Sequence, residues 1–129
     1  MTKPASLTDD LKKYLTPAFE RKAKSIAAID VKKLTSYTDT IIIIEANSQR
    51  QVTAIAEYLI KTLKAGGIKA IGVEGIKEGE WALLDYGDVI IHVFESQKKS
   101  FYDIEGLWAD APRIDITGFE KEYDSKEEL

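Results

Sequence analysis

The sequence predicts an α/β domain in which helices pack against a mixed five-stranded sheet. Three observations support this prediction. The run Ile41–Ile44 is apolar at every position, as in an interior strand covered on both faces. Apolar residues then recur at helical spacing from Val52 to Leu63, and two further apolar runs meet at Gly87 as in a β-hairpin. The predicted order is helix, two strands, helix, three strands and helix.

The N-terminal part should form one helix and the first two strands. Residues 1–7 carry no fold signal and are expected to be loose. A helix over about residues 8–15 has a threonine cap, and Pro17 should be followed by a kink or a second turn from Phe19 to Lys24. The two strands are predicted over residues 25–34 and 40–46.

The second helix has the clearest boundaries. Ser48 and Gln51 have the spacing of a capping box, and Gly66-Gly67 supplies a stop. Ser48 and Arg50 also suggest an anion site at the helix N-terminus, but no glycine-rich loop precedes them, so capping is the better explanation. The third strand is predicted over residues 68–73.

The last helix is expected to close the domain, which then spans residues 1–108. Ser96 should cap this helix, and its buried stripe should consist of Phe101, Ile104, Leu107 and Trp108. The chain beyond it is polar and acidic, so residues 109–129 are predicted to form a mobile tail. The tail residues suited to docking on the domain are Ile114, Ile116 and Phe119.

The hairpin from Trp81 to Phe94 divides its side chains between two unlike faces. If Tyr86-Gly87 is the whole loop, Asp85 lies opposite Asp88, and directly paired residues share a face. One face is then wholly apolar and belongs in the core: Ala82, Leu84, Val89, Ile91 and Val93. The other mixes apolar and charged groups, as docking surfaces do: Trp81, Leu83, Asp85, Asp88, Ile90, His92 and Phe94. A bulge would shift the second strand by one residue, because Tyr86 fits the positive φ of common hairpin turns poorly.

The motifs of this region have a known counterpart. The hairpin reads Trp81-x-Leu83-Leu84-Asp85-Tyr86-Gly87-Asp88-Val89-Ile90-Ile91-His92-Val93-Phe94, and the next helix supplies Tyr102-x-x-Glu105-x-Leu107-Trp108. Upstream lie Val73-Glu74-Gly75, Asn47-Ser48-x-Arg50-Gln51-Val52 and Ile29-Asp30-Val31. Over roughly residues 20–108, these motifs resemble the ribosomal silencing factor family, RsfS or Iojap.

The resemblance implies a nucleotidyltransferase-like topology and a function without catalysis. Such proteins bind the fourteenth protein of the large ribosomal subunit, block joining of the small subunit and lower translation when nutrients are scarce. The resemblance also implies a homodimer when the protein is free. The expected partner-binding residues are Trp81, Leu83, Asp85, Tyr86, Asp88, His92, Phe94, Lys98 and Tyr102. Their rings and aliphatic groups would supply desolvated contact, and the aspartates would pair with basic groups of the partner.

Composition agrees with a basic protein partner. The formal net charge is −4 and the lysines and arginines are scattered among acids, which argues against broad contact with RNA. No secretory signal or membrane-spanning run is recognisable, and the absence of cysteine is compatible with the cytosol. A cytoplasmic location is therefore expected.

A nucleotidyltransferase-like enzyme, or a nucleotide-binding relic of one, is the alternative function. Asp85 and Asp88 could hold magnesium, but the Gly-Ser loop and third acid of such enzymes are missing from suitable places. His92 is the sole histidine, so a zinc site would need an unusual carboxylate set, and no G-x-S-x-G elbow exists. The sequence therefore predicts a non-enzymatic protein with no cofactor or metal.

Overall fold

The computed structural model describes residues 5–121, which form one mixed sheet with helices on both faces. The elements are α1 (Asp9–Glu20), β1 (Ser25–Asp30), β2 (Thr40–Ala46), α2 (Gln49–Ala65), β3 (Gly72–Glu74), β4 (Trp81–Asp85), β5 (Val89–Glu95), α3 (Ser96–Tyr102), α4 (Ile104–Leu107) and β6 (Arg113–Ile114). The strand order is β3-β4-β5-β2-β1-β6, with β2 and β5 parallel and the other neighbours antiparallel. The mixed α/β prediction is confirmed, but this part of the chain has six strands, not five. The nucleotidyltransferase-like topology stays a prediction.

The central strand β2 separates two apolar cores, as its four consecutive isoleucines predicted. Ile42 and Ile44 face the core beneath α1 and α2, whereas Ile41 and Ile43 face the core beneath α4. All four are at most 4% exposed. The strand lies between β5 and β1, so neither of its edges is open.

The helix α1 is longer than predicted, because it continues through Pro17 to Glu20. Proline inside a helix removes one hydrogen bond and costs about 3 kcal/mol. Leu15, Pro17 and Ala18 are nevertheless buried. Apolar burial of this last turn compensates for the proline, which local propensity alone does not reveal.

The helix α2 begins and ends where the capping residues predicted. The Ser48 side chain accepts a hydrogen bond from the Gln51 N–H at 3.1 Å, and Gly66 closes the helix. The Gln51 side chain accepts from the Asn47 N–H at 2.6 Å, one residue before the position a standard capping box uses.

Two strands are shorter than predicted. The strand β1 ends at Asp30, because the Leu34 N–H turns back to donate to the Val31 carbonyl at 3.0 Å. The strand β3 spans only Gly72–Glu74 at the sheet edge. Before it, the Ile68 N–H still donates to the Leu63 carbonyl at 2.8 Å, which keeps the chain at the end of α2.

The predicted last helix is divided in two, and only half of its predicted buried stripe is confirmed. Asp103 adopts a left-handed conformation between α3 and α4, and its side chain accepts from the Gly106 N–H at 3.1 Å. This break changes the helical phase, so Phe101 and Leu107 are 77% and 73% exposed, while Ile104 and Trp108 pack on the core. The cap of α3 is Glu95 instead of Ser96.

The chain beyond residue 108 belongs to the domain as far as the structure describes it, contrary to the predicted tail. The strand β6 pairs with β1, and Ala5 bridges to Ile114 on its other side. Ile114 and Ile116 are buried, and Phe119 packs edge-on against Phe19 with ring centroids 5.5 Å apart. The predicted mobility of residues 1–4 and 122–129 lies outside the described residues. Within residues 5–121 there is no helix with the length and apolar character to cross a membrane.

Candidate partner-binding surface

The β4–β5 turn lies one residue later than predicted, yet the two hairpin faces are those expected. Gly87, with φ +84°, occupies the turn together with Asp88, and the Tyr86 N–H donates to the Val89 carbonyl at 2.9 Å. Glycine accepts the positive φ that a tyrosine resists. Asp85 therefore pairs with Ile90 instead of Asp88. This moves the register by two residues, so each side chain keeps its face.

The apolar face predicted for the core is confirmed. Its five residues all belong to the core beneath α1 and α2, and none is more than 5% exposed: Ala82, Leu84, Val89, Ile91 and Val93. The opposite side of the hairpin, hereafter the mixed face, carries Trp81, Leu83, Asp85, Ile90, His92 and Phe94.

An aromatic cluster occupies one end of the mixed face. Trp81 stacks on Phe94 with ring centroids 4.9 Å apart, and Tyr102 of α3 lies 4.6 Å from Trp81. Phe94 is completely buried, whereas Tyr102 is 45% exposed. Phe94 was predicted to contact the partner, but it is buried beneath the outer rings and supports them instead.

His92 is a buried, neutral member of this cluster. The Trp81 indole Nε1–H donates to His92 Nδ1 at 3.0 Å, so the imidazole proton is on Nε2. Burial, which disfavours the charged ring, lowers the pKa of His92 to about 4. His92 is only 8% exposed, so its part in the surface is to orient Trp81, in place of the direct partner contact predicted.

Asp88 was predicted on the mixed face and Tyr86 among the partner-binding residues, but both lie on the α1 side of the sheet. The Tyr86 ring packs against Tyr14 of α1 with centroids 5.5 Å apart, and its buried hydroxyl has no hydrogen-bond partner. Burial raises the pKa of Tyr86 to about 12. Asp88 is exposed in a cavity that Tyr14 also lines.

Asp85 and Asp88, weighed above as a magnesium pair for the alternative function, lie on different sides of the sheet. Asp85 is on the mixed face, where its side chain accepts from the Gly87 N–H at 2.8 Å and braces the turn. Asp88 lies on the side of α1. In the part of the chain that the structure describes, no three His, Cys, Asp or Glu side chains are arranged to hold a metal ion.

The accessible residues form what we call the contact patch: Trp81, Leu83, Asp85, Lys98, Phe101 and Tyr102. Trp81 and Leu83 are partly buried, and Lys98 pairs with Glu80 at 3.9 Å. Phe101 is exposed and not in the predicted helix interior, because Asp103, a residue type enriched in the left-handed conformation, interrupts the helix. Acids surround the patch, since Glu74 lies opposite Leu83 on β3 and Glu80 precedes Trp81.

Comparisons with known proteins identify the family of the chain. The family model described as "Ribosomal silencing factor during starvation" matches residues 4–128. The ribosomal silencing factor RsfS of Bacillus subtilis is 37% identical over 97 residues, which are 75% of this chain and 82% of that protein. The RsfS of Chromobacterium violaceum is 42% identical over 87 residues, 67% of this chain and 71% of that protein.

Solved structures support the fold. A crystal structure from Chromobacterium violaceum matches with a TM-score of 0.75 and 38% identity, covering 77% of this chain and 82% of that one. One from Bacillus halodurans matches with a TM-score of 0.74 and 32% identity, covering 83% and 97%. The relatives are named as silencing factors, which are regulatory proteins, and this confirms the prediction that the protein is not an enzyme. The chain therefore belongs to the ribosomal silencing factor (RsfS) family.

Proposed function

We propose that this protein binds the fourteenth protein of the large ribosomal subunit and sterically blocks joining of the small subunit, which lowers translation when nutrients are scarce. Membership of the RsfS family supports a ribosomal target. The observation that carries the proposal is the contact patch, where Tyr102 is 45% exposed and its ring packs against the partly buried Trp81 with centroids 4.6 Å apart.

The patch has the composition of a protein-binding site. Exposed tyrosine and partly buried tryptophan are typical binding anchors, because they offer a large contact area at a small cost in conformational entropy. Phe94 supports both rings from below and Trp81 is hydrogen-bonded to His92. Little ordering of the patch is then needed on binding, which favours affinity.

The charge around the patch favours a basic partner. Glu74 and Glu80 are exposed beside it, Asp85 lies within it, and the whole chain has a formal net charge of −4. Lys98 is the cation of the patch, and Glu80 already pairs with it. A ribosomal protein with exposed lysines and arginines would be attracted to such a surface, and this attraction would act mainly on the association rate.

The block needs no chemistry. A folded domain of 14.4 kDa that docks where the two subunits meet occupies volume the small subunit requires. Two conditions suffice: the contact must persist, and the rest of the domain must project into the joining surface.

Replacing one anchor tests binding and the block together. Tyr102→Ala removes the exposed ring that packs against Trp81. Truncation of a central aromatic anchor typically costs about 2 kcal/mol, or roughly 30-fold in affinity. Glu57→Ala, on the outer side of α2, is the matched control. Binding is measured by titration calorimetry with the purified fourteenth protein, and the block by sedimentation of mixed subunits.

The two assays separate the parts of the proposal. We expect wild type and Glu57→Ala to bind the fourteenth protein and keep subunits apart, and Tyr102→Ala to do neither at the same concentration. Equal binding by the wild type and both variants would exclude the contact patch as the binding site. Subunit joining in the presence of bound wild-type protein would exclude steric block.

Homodimerisation of the free protein and its cytoplasmic location stay predictions. The exposed rings of the contact patch could serve a second copy as well as a ribosomal partner. Sedimentation velocity of wild type and Tyr102→Ala distinguishes these cases, since a dimer built on the patch should dissociate in the variant. A wild-type monomer at all accessible concentrations would contradict the dimer.

A further inference from the structure

The helix α3 carries Lys98, Phe101 and Tyr102 of the contact patch, and the short helix α4 follows it. The helix α3 has seven residues and α4 has four, and no residue in either is fully buried. Helices this short have little stability of their own in water. Asp103 separates them with φ 46° and ψ 56°, so they are not one continuous rod. Contacts with the rest of the domain must therefore set their position.

Glu105 lies at the centre of those contacts. Its carboxylate pairs with Lys99 of α3 at 3.2 Å and with Arg113 beside it on β6. Lys99 also pairs with Glu45 of β2 at 3.8 Å. A single carboxylate in α4 thus joins α3 and the strand β6, and through Lys99 it reaches the central sheet.

The environment of Glu105 favours its charged form. Burial alone would raise its pKa, but hydrogen bonds from Arg113 and Lys99 outweigh that effect and hold the pKa of Glu105 below its usual value. The side chains of Glu105 and Lys99 are 23% and 25% exposed, whereas Lys98 of the contact patch and its partner Glu80 are 41% and 51% exposed. Exposed single pairs contribute little, while partly buried networks hold their geometry better.

We propose that Glu105 is a positioning residue of the contact patch, which joins α3, α4 and β6 and thereby holds the Tyr102 ring packed against Trp81. Lys99 and Tyr102 are both on α3, three residues apart, so a helix pinned at Lys99 presents Tyr102 at a fixed height above Trp81. The ring geometry is independent of any partner. Only the effect on ribosome binding rests on the proposed function.

The indole N–H of Trp81 reports this geometry by NMR. The ring centroids of Tyr102 and Trp81 are 4.6 Å apart, so the ring current of Tyr102 shifts the Trp81 indole signal. The Trp108→Phe variant removes the other indole and thereby assigns this signal. We expect Glu105→Ala to move the signal toward its position in Tyr102→Leu. Glu57→Ala controls for loss of a surface carboxylate, and Ile55→Val in α2 controls for a general loss of stability. A signal in Glu105→Ala that stays at the wild-type position would overturn the proposal.

Binding to large subunits gives the second readout. If Glu105 acts through Tyr102, Glu105→Ala alone should weaken binding about tenfold. The same substitution should add little to the loss caused by Tyr102→Leu, because the effects of coupled residues are not additive. Full additivity would show that Glu105 does not act through Tyr102. A shifted Trp81 signal without any loss of binding in either variant would support the positioning role and contradict the proposed function instead.

Discussion

The burial of the sole histidine predicts a definite loss of stability in mild acid. The pKa of His92 is lowered from 6.5 to about 4 by burial, and the ring is 8% exposed. Between these values the unfolded chain binds a proton that the folded chain does not, so the free energy of unfolding falls as the pH falls from about 6.5 to about 4. A shift of this size corresponds to about 3 kcal/mol, of which about 2 kcal/mol should be lost between pH 7 and pH 5.

The measurement is urea unfolding followed by tryptophan fluorescence at pH 7, 6 and 5. His92→Asn is the matched control, since the amide oxygen of asparagine can still accept the Trp81 indole N–H but does not titrate. Glu45 and Glu105, whose pKa values lie below the usual 4.5, lose their contribution only at lower pH. We expect wild type to lose about 2 kcal/mol more than His92→Asn. Equal losses, or an NMR titration of His92 near pH 6.5, would refute the reasoning.

Three further predictions concern stability. Trp81→Phe keeps the stacked ring but leaves His92 Nδ1 without its hydrogen-bond donor at 3.0 Å. We expect the free energy of unfolding to fall by about 1–3 kcal/mol, and the pKa of His92, measured by NMR titration, to rise. Gly87→Ala requires an alanine to adopt φ +84°, which should lower the free energy of unfolding by about 1–2 kcal/mol. An unchanged midpoint of urea unfolding would contradict this conformation of the turn. Truncation after Asp110 removes β6 and the buried residues Ile114 and Ile116, and should cost about 3 kcal/mol or more, whereas truncation after Lys121 keeps them and serves as control.

The faces of the hairpin were predictable because they depend on a period and not on an exact turn. Alternation along a strand assigns every second residue to one side, so an error of two residues in pairing leaves the assignment unchanged. Asp85 proved to pair with Ile90 instead of Asp88, and the apolar face was still correct. The same alternation places Tyr86 with the core side, and it was missed because turn residues were excluded from the pattern.

The burial of the residues after β5 was not predictable from helical periodicity, because the left-handed conformation of Asp103 interrupts the helix. Phe101 and Leu107 fit a helical stripe only if the helix is continuous, and Asp103 in a left-handed conformation breaks it. The strand β6 was missed for a different reason. This strand has only two residues and is stabilised by its long-range pairing with β1, which the local sequence does not indicate.

The buried and exposed members of the aromatic cluster explain why one motif includes residues with such different roles. Phe94 has no accessible surface, His92 has little, and both hold Trp81, on which the exposed Tyr102 rests. A mutation of Phe94 would therefore weaken partner binding without removing any partner contact, and it would weaken folding as well. Loss of binding alone cannot identify a contact residue in this motif. Only variants such as Tyr102→Ala, which change the outer layer and leave Phe94 and His92 in place, separate recognition from the packing that supports it.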